Sequence, residues 1–131
     1  MRYLTLEELE FIHDRIIEET GGMPGVRDPE LLDSIVARQY AGFSGVELFP
    51  DAHGKAGAVF HGLAIHQAFF DGNTRTGVAA GGTILAMNGY DLAASQDEVF
   101  RFGHQLAVDT RSTSVEDVIG WLRQNSTPRH S

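Results

Sequence analysis

The stretch from Ala68 to Gly77 contains the residues best suited to chemistry, because an acid, a glycine, an amide and a guanidinium group lie together between two apolar segments. Gly72 lets the backbone approach a ligand closely, and Arg75 supplies a fixed positive charge. If a helix begins here, its unpaired N–H groups and positive dipole end also favour an anion. Asp71 can hold a divalent cation, since hard cations take carboxylate and phosphate oxygens together. The stretch therefore predicts a phosphate and metal site, with an ordinary Asp-Gly turn as the alternative.

Two predicted helices flank this stretch and must position it. The pattern before it predicts a helix from about Asp51 to Phe69, which leads directly into the candidate loop. Its expected inward-facing residues are Ala56, Val59, Phe60, Leu63, Ala64 and Gln67 or Ala68. The pattern after it predicts a helix from about Arg75 to Asn88 that is apolar nearly all round, as in a central buried helix. Gly81 and Gly82 favour close packing of this helix against a neighbour.

Four further helices are marked by capping signals. These are Thr5 with Glu8, Asp28 with Pro29, Ser95 with Glu98, and Ser114 with Asp117. The pair Gly21-Gly22 is expected to end the first of them. The sequence thus predicts an all-α fold of six helices around a central buried helix, with residues 126–131 as a disordered tail.

The segment from Tyr40 to Pro50 breaks the helical pattern. It has two glycines, a terminal proline and a short alternating run, Val46-Glu47-Leu48-Phe49. This composition predicts a loop or small β-hairpin over the surface, which we call the flap (residues 40–50).

Composition limits the class of protein. The chain has 131 residues, of which 42% are hydrophobic, so we expect a single domain over residues 1–125. A formal net charge of −8 argues against the broad basic face that nucleic acid requires. Cysteine is absent, which excludes a disulfide framework and a thiolate nucleophile. No apolar signal core begins the chain, and no segment reaches the about 18 apolar residues that span a bilayer. We expect a cytoplasmic protein that binds neither nucleic acid nor a membrane.

The loop also resembles a known motif. The run Phe69-x-Asp71-Gly72-Asn73-x-Arg75-Thr76 is similar to the signature of the Fic/Doc family, His-x-Phe-x-Asp/Glu-Gly/Ala-Asn-x-Arg. The resemblance extends to Tyr3–Glu8, Gly25–Leu32 and Asn88–Tyr90, which look like the death-on-curing (Doc) branch, and it covers roughly residues 2–124. It implies the Fic/Doc helical fold.

The resemblance also implies a chemistry. Fic-type proteins transfer part of a nucleotide, usually AMP, to a protein hydroxyl, whereas Doc is a toxin kinase that phosphorylates a threonine of elongation factor Tu. By this analogy ATP and Mg²⁺ are the cofactors, Asp71 holds the metal, and Gly72, Asn73, Thr74 and Arg75 lie at the phosphates. The flap, through Val46 to Phe49, would pair with a target protein by strand addition, and a small antitoxin would neutralise the toxin.

One departure from the family pattern bears on activity. The catalytic histidine of the family falls on Gln67, and His66 lies one residue too early. Glutamine cannot act as a general base, and losing a positioned base typically costs about 10²- to 10⁴-fold in rate. One residue along a helix rotates a side chain by about 100°, so His66 could replace it only through a local bulge.

Two neighbouring positions bear on the kind of transfer. AMP-transferring members carry glycine after the asparagine and a second arginine, whereas Doc-like members carry lysine and lack that arginine. This chain has Thr74 and Val78 there, and Thr74 could instead cap the following helix. Three functions remain: a Doc-like toxin kinase, which is our leading interpretation, an AMP transferase, or a catalytically silent protein that binds a nucleotide or partner.

Overall fold

Six α-helices dominate the part of the chain that the computed structural model describes, residues 1–109 and 113–129. They are α1 (Leu6–Thr20), α2 (Pro29–Ala37), α3 (Ala52–His66), α4 (Asn73–Met87), α5 (Gln96–Val108) and α6 (Val115–Gln124). In this part of the chain no helix is long and apolar enough to cross a membrane. The predicted six-helix, mostly α fold is confirmed.

Side-chain caps begin five of these six helices. The cap residues Thr5, Asp28, Asp51, Ser95 and Ser114 each accept a hydrogen bond from the backbone N–H three positions later. The full capping box is present at Thr5, Ser95 and Ser114. All four predicted capping signals are therefore confirmed, and only α4, at the candidate site, begins without a side-chain cap among the described helices.

The most deeply buried helix is α3, although the sequence pattern predicts that place for α4. Eleven of the fifteen residues of α3 are buried, against seven of fifteen in α4. Small residues explain the difference, because they let neighbours approach the α3 backbone: a Cβ on Gly57 would lie 2.6 Å from Ile119 Cγ1 of α6. The tightest approach on α4 is at Gly77, where a Cβ would lie 3.1 Å from a ring carbon of α3. At the predicted pair Gly81 and Gly82 an added Cβ would make only ordinary contacts.

The two helices that flank the candidate loop have different bounds from those predicted. Helix α3 ends at His66 rather than near Phe69, and α4 begins at Asn73 rather than Arg75. Long-range hydrogen bonds end α3 early, because Ala68 O accepts from the backbone N–H groups of residues 27 and 28 at 2.8 and 3.0 Å. The segment after His66 is therefore tied to the α1–α2 connection instead of continuing the helix.

The predicted flap is a small hairpin. Strand β1 (Gly42–Phe43) pairs antiparallel with β2 (Val46–Glu47), after a single 3₁₀ turn over Arg38–Tyr40. Its turn residues Ser44 and Gly45 both have positive φ, 52° and 80°, as tight two-residue hairpin turns require.

The expectation of a disordered tail over residues 126–131 is wrong for its first part. Ser126–Pro128 form β4, which pairs antiparallel with β3 (Tyr90–Leu92), and the Arg129 guanidinium pairs with the Asp91 carboxylate. Residue 129 also donates its backbone N–H to the carbonyl of Gly89 at 2.7 Å. This ladder satisfies backbone groups that a frayed end would leave to water. Residues 130 and 131 lie outside the described ranges.

Candidate active site at the loop between α3 and α4

The loop begins with a left-handed residue. Gln67 has φ 54° and ψ 60°, and its side chain is exposed rather than facing the interior as the helix pattern allowed. The Arg27 guanidinium donates to the backbone carbonyls of His66 and Gln67, at 3.0 and 2.9 Å. This cation therefore satisfies carbonyls at the C-terminal end of α3, where the helix dipole is negative. The backbone at position 67 is held from outside the helix.

The Asn73 carboxamide closes the loop. Its Oδ1 accepts from the N–H of Phe69 and its Nδ2 donates to the carbonyl of the same residue, both at 2.9 Å. The side chain is buried, and the Phe69 ring beside it is also buried. Asn73 was predicted as a phosphate ligand, but in this structure its amide holds the turn that carries Asp71.

His13 supports the loop from α1, and the sequence interpretation gave it no role. Its ring stacks on Phe69, with 3.7 Å between ring centroids and 5° between planes. Its Nε2 lies 2.8 Å from the carbonyl oxygen of Asp71, and because a carbonyl only accepts, Nε2 must carry a proton. The available signal was helical spacing, since His13 lies four residues after the buried Leu9.

Asp71 is exposed, and its carboxylate is oriented by the α1–α2 connection. Oδ2 accepts from the backbone N–H of Met23 at 2.6 Å. The connection passes so close that a Cβ on Gly22, which has φ 115°, would lie 3.1 Å from Asp71 Cβ. The glycine pair at 21–22 was predicted only to end α1, so the packing of Gly22 against Asp71 was missed.

Helix α4 starts with free backbone donors. Its N-cap is Gly72, in the left-handed conformation at φ 77°, and no side chain of the described residues caps it. The first N–H groups of a helix have no partner within the helix, so the N–H groups that follow Gly72 can bind an anion. Arg75, the third residue of α4, is exposed on this first turn. The Thr74 alternative of a helix cap is wrong, because Thr74 lies inside α4 and its methyl packs beside Gly103 of α5.

His66 is turned toward Arg38, the first residue of the 3₁₀ turn that follows α2. Arg38 Nη2 lies 3.3 Å from His66 Nε2, and since arginine only donates, Nε2 is the acceptor of a neutral ring. Burial lowers the pKa of His66, and the neighbouring Arg38 lowers it further. The ring therefore has its Nε2 lone pair engaged, and α3 ends here without the bulge that would bring His66 toward position 67.

The flap and the loop lie at opposite ends of α3. The flap leads into Asp51, the cap of that helix, whereas the loop begins after His66. A helix of fifteen residues is about 22 Å long. Val46 and Leu48 are exposed on the flap, Phe49 is half-buried, and Glu47 pairs with Lys55 at 3.0 Å. The structure thus offers an open strand edge at one end of α3 and charged groups at the other.

These charged groups suit phosphate and a hard cation, but they offer a cation few protein ligands. In the described ranges no three His, Asp or Glu side chains converge as metal ligands. Between Ala68 and Gly77 the sequence has one carboxylate, that of Asp71, so a cation here would depend on phosphate oxygens for further ligands.

Comparison with known proteins identifies the family. The Fic/DOC family model matches residues 3–85, which include α1 to α3, the flap, the loop and most of α4. The chain is 47% identical over 77 residues to "Toxin Doc" of Mycolicibacterium smegmatis, 59% of each protein. It is 30% identical over 97 residues to "Protein kinase doc" of Escherichia phage P1, which is 74% of this chain and 76% of the phage protein. The match thus spans 59% of the length of the mycobacterial relative. The chain belongs to the Fic/Doc family.

Proposed function

We propose that this protein is a Doc-type toxin that transfers the γ-phosphate of ATP to a hydroxyl of a target protein. Its family membership and the names of two relatives, a toxin and a protein kinase, support this proposal. The observation that carries it is the juxtaposition of the Asp71 carboxylate with the uncapped start of α4. In this reaction a bond forms between the acceptor oxygen and phosphorus, the bond to the β-phosphate oxygen breaks, and ADP and a proton leave.

The loop residues have separate roles in the proposal. The N–H groups after Gly72 and the Arg75 guanidinium bind phosphate oxygens, because both present positive charge on the first turn of α4. Asp71 would hold Mg²⁺ together with those oxygens, and the cation would neutralise charge on the phosphates. Asn73 and His13 keep this arrangement in place through Phe69 and the carbonyl of Asp71.

The acceptor reaches the loop along α3. A target segment paired with the flap starts near Lys55, twelve positions before Gln67, which is about 18 Å along a helix. An extended segment rises about 3.3 Å per residue, so five or six residues bridge this distance. By analogy with the family we infer that the target is a translation factor such as elongation factor Tu, and that a cognate small antitoxin blocks the same surface.

Gln67 restrains the activity in this proposal. Its carboxamide can orient a hydroxyl but cannot take its proton, and the Nε2 of His66 is engaged by Arg38. We therefore expect transfer to be about 10²- to 10⁴-fold slower than with a histidine at position 67. The same observation favours a second candidate, a silent protein that binds the nucleotide or a partner without transfer.

Labelled ATP distinguishes the candidates. The chain is incubated with a bacterial lysate and ATP labelled at the γ-phosphate, and separately with ATP labelled at the α-phosphate. Transfer of the γ-label to protein supports the kinase, and transfer of the α-label supports the AMP transferase. Nucleotide binding without transfer of either label supports the silent protein.

A matched pair of variants tests the role of position 67. Gln67→His is expected to raise γ-transfer by about 10²-fold or more. Gln67→Asn is the matched control, because asparagine provides no base. Histidine and asparagine are both tolerated in the left-handed conformation that position 67 adopts. If Gln67→His folds, binds ATP and transfers no more label than Gln67→Asn, the missing-base account is wrong.

A further inference from the structure

Lys55 of α3 is a fully buried cation outside the loop. It is the only lysine of the chain, and its side chain is 0% exposed. Burying an ammonium is unfavourable unless its donors are all paired. All three are: Nζ donates to the carbonyl of Gln39, to the carbonyl of Phe49 at 2.7 Å and to Glu47 Oε1 at 3.0 Å.

These three acceptors define a clamp on the flap. The two carbonyls lie at its opposite ends, since Gln39 precedes the flap and Phe49 is near its close, and Glu47 lies on β2 between them. One atom of α3 thus holds both ends of the hairpin. A compact ammonium can satisfy three converging acceptors in this way, whereas the planar guanidinium of arginine cannot.

The clamp continues into the N-terminal segment. The Gln39 side chain is fully buried, accepts from the N–H of Leu4 at 2.8 Å and donates to its carbonyl at 2.9 Å. The Tyr3 ring lies over Lys55, with Nζ 5.1 Å from the ring centroid. The base of the flap is therefore part of a buried polar network.

The hairpin itself contributes little to its own position. Its pairing consists of two residue pairs, and Phe43, Val46 and Leu48 are all exposed. Apolar packing therefore does not anchor its outer part, and the orientation of the flap depends on its clamped base.

We infer that Lys55 is a positioning residue that fixes the flap on α3 and so sets the line along which an acceptor segment runs toward Asp71. The clamp is a property of the fold, and its use in presenting an acceptor rests on the proposed function.

Amine acylation tests the clamp without nucleotide or acceptor. The intact protein is treated with the N-hydroxysuccinimide ester of acetic acid, and modification of Lys55 is followed by mass spectrometry against Nα-acetyl-lysine amide. Lys55 should react at least about 100-fold more slowly than this reference, because reaction requires local opening. A rate within about fivefold of the reference overturns the clamp.

Two matched variants show whether the opening belongs to the flap. Glu47→Gln keeps an oxygen acceptor but removes the negative charge of this half-exposed ion pair, so it should speed acylation of Lys55 by about 3- to 10-fold. Asp91→Asn removes a carboxylate of similar exposure from the ion pair with Arg129, between β3 and β4, and should leave the rate unchanged. Equal effects of the two variants would show general loosening and would contradict the proposal.

A kinetic readout tests positioning. In the Gln67→His background, Lys55→Met should raise the KM for the protein acceptor about tenfold and leave the KM for ATP unchanged, because Lys55 is buried and can contact neither substrate. An unchanged acceptor KM in a folded Lys55→Met protein overturns the positioning role. If Lys55→Met does not fold, acylation decides the clamp. If Gln67→His transfers nothing, the proposed function fails and the acylation result is unaffected.

Discussion

Replacing His13 with leucine tests how the loop that carries Asp71 is held. Leucine keeps an apolar side chain on the buried face of α1 but removes the ring and its N–H donor. The lost hydrogen bond to the partly buried carbonyl of Asp71 costs about 1 to 2 kcal/mol. The lost stacking on Phe69 costs about 0.5 to 1 kcal/mol. We therefore expect the free energy of unfolding to fall by about 1.5 to 3 kcal/mol.

Urea unfolding followed by circular dichroism measures this loss, with the slope of the transition checked for two-state behaviour. His104→Leu is the control, because His104 is exposed on α5 and its replacement should change stability by less than about 0.5 kcal/mol. Amide exchange at Phe69 and Phe70 should also become faster in His13→Leu than in the control. A loss no larger than that of His104→Leu would refute the view that His13 holds the loop.

Three further predictions follow from the packing and charges. Gly57→Ala should destabilise the fold by about 1 to 3 kcal/mol, because the added methyl group collides with Ile119. Gly120→Ala has open space around it and should stabilise α6 by about 0.5 to 1 kcal/mol. Equal melting temperatures of the two variants would contradict this. Asp71→Asn still has an oxygen for the N–H of Met23, so this variant should keep the fold. In calorimetry it should lose the part of ATP binding that depends on Mg²⁺. If Mg²⁺ still strengthens ATP binding to this variant, Asp71 is not the metal ligand. Burial lowers the pKa of the three histidines of α3 (His53, His61 and His66) below the usual 6.5, so below that pH the unfolded chain binds more protons than the folded chain. The free energy of unfolding should therefore fall as pH drops through 6.5, and His61→Asn should make this dependence on pH weaker in urea titrations. An unchanged dependence would contradict the assignment of His61 as one of its sources.

The helix starts could be predicted because capping is local. Thr5 and Glu8, for example, satisfy each other's backbone groups within one turn, whatever the rest of the chain does. The end of α3 could not be predicted in this way. It depends on Ala68 bonding to residues 27 and 28, about forty positions away, and a helical pattern carries no information about such partners.

At the candidate site, too, local features could be predicted and long-range contacts could not. The spacing from Gln67 to Arg75 predicted where charged groups and a helix start would meet, and α4 does begin inside that run. The supports of the loop were missed, because they use main-chain groups or distant side chains: the N–H of Met23 and the ring of His13. Strand β4 was missed for a related reason, since three residues give almost no alternation to detect.

The environment of Gln67 indicates that the fold of this loop does not depend on the side chain at position 67. Position 67 is held through backbone atoms, by the Arg27 bonds to the carbonyls of His66 and Gln67, and the carboxamide makes no hydrogen bond among the described residues. Its side chain can therefore change without moving Asp71 or the start of α4, because those depend on Asn73 and His13. A chain without a base at this position therefore keeps the groups that we propose bind phosphate. Binding and transfer should thus be separable by one substitution, so a change in ATP affinity with Gln67→His would show that the side chain at position 67 also shapes the pocket.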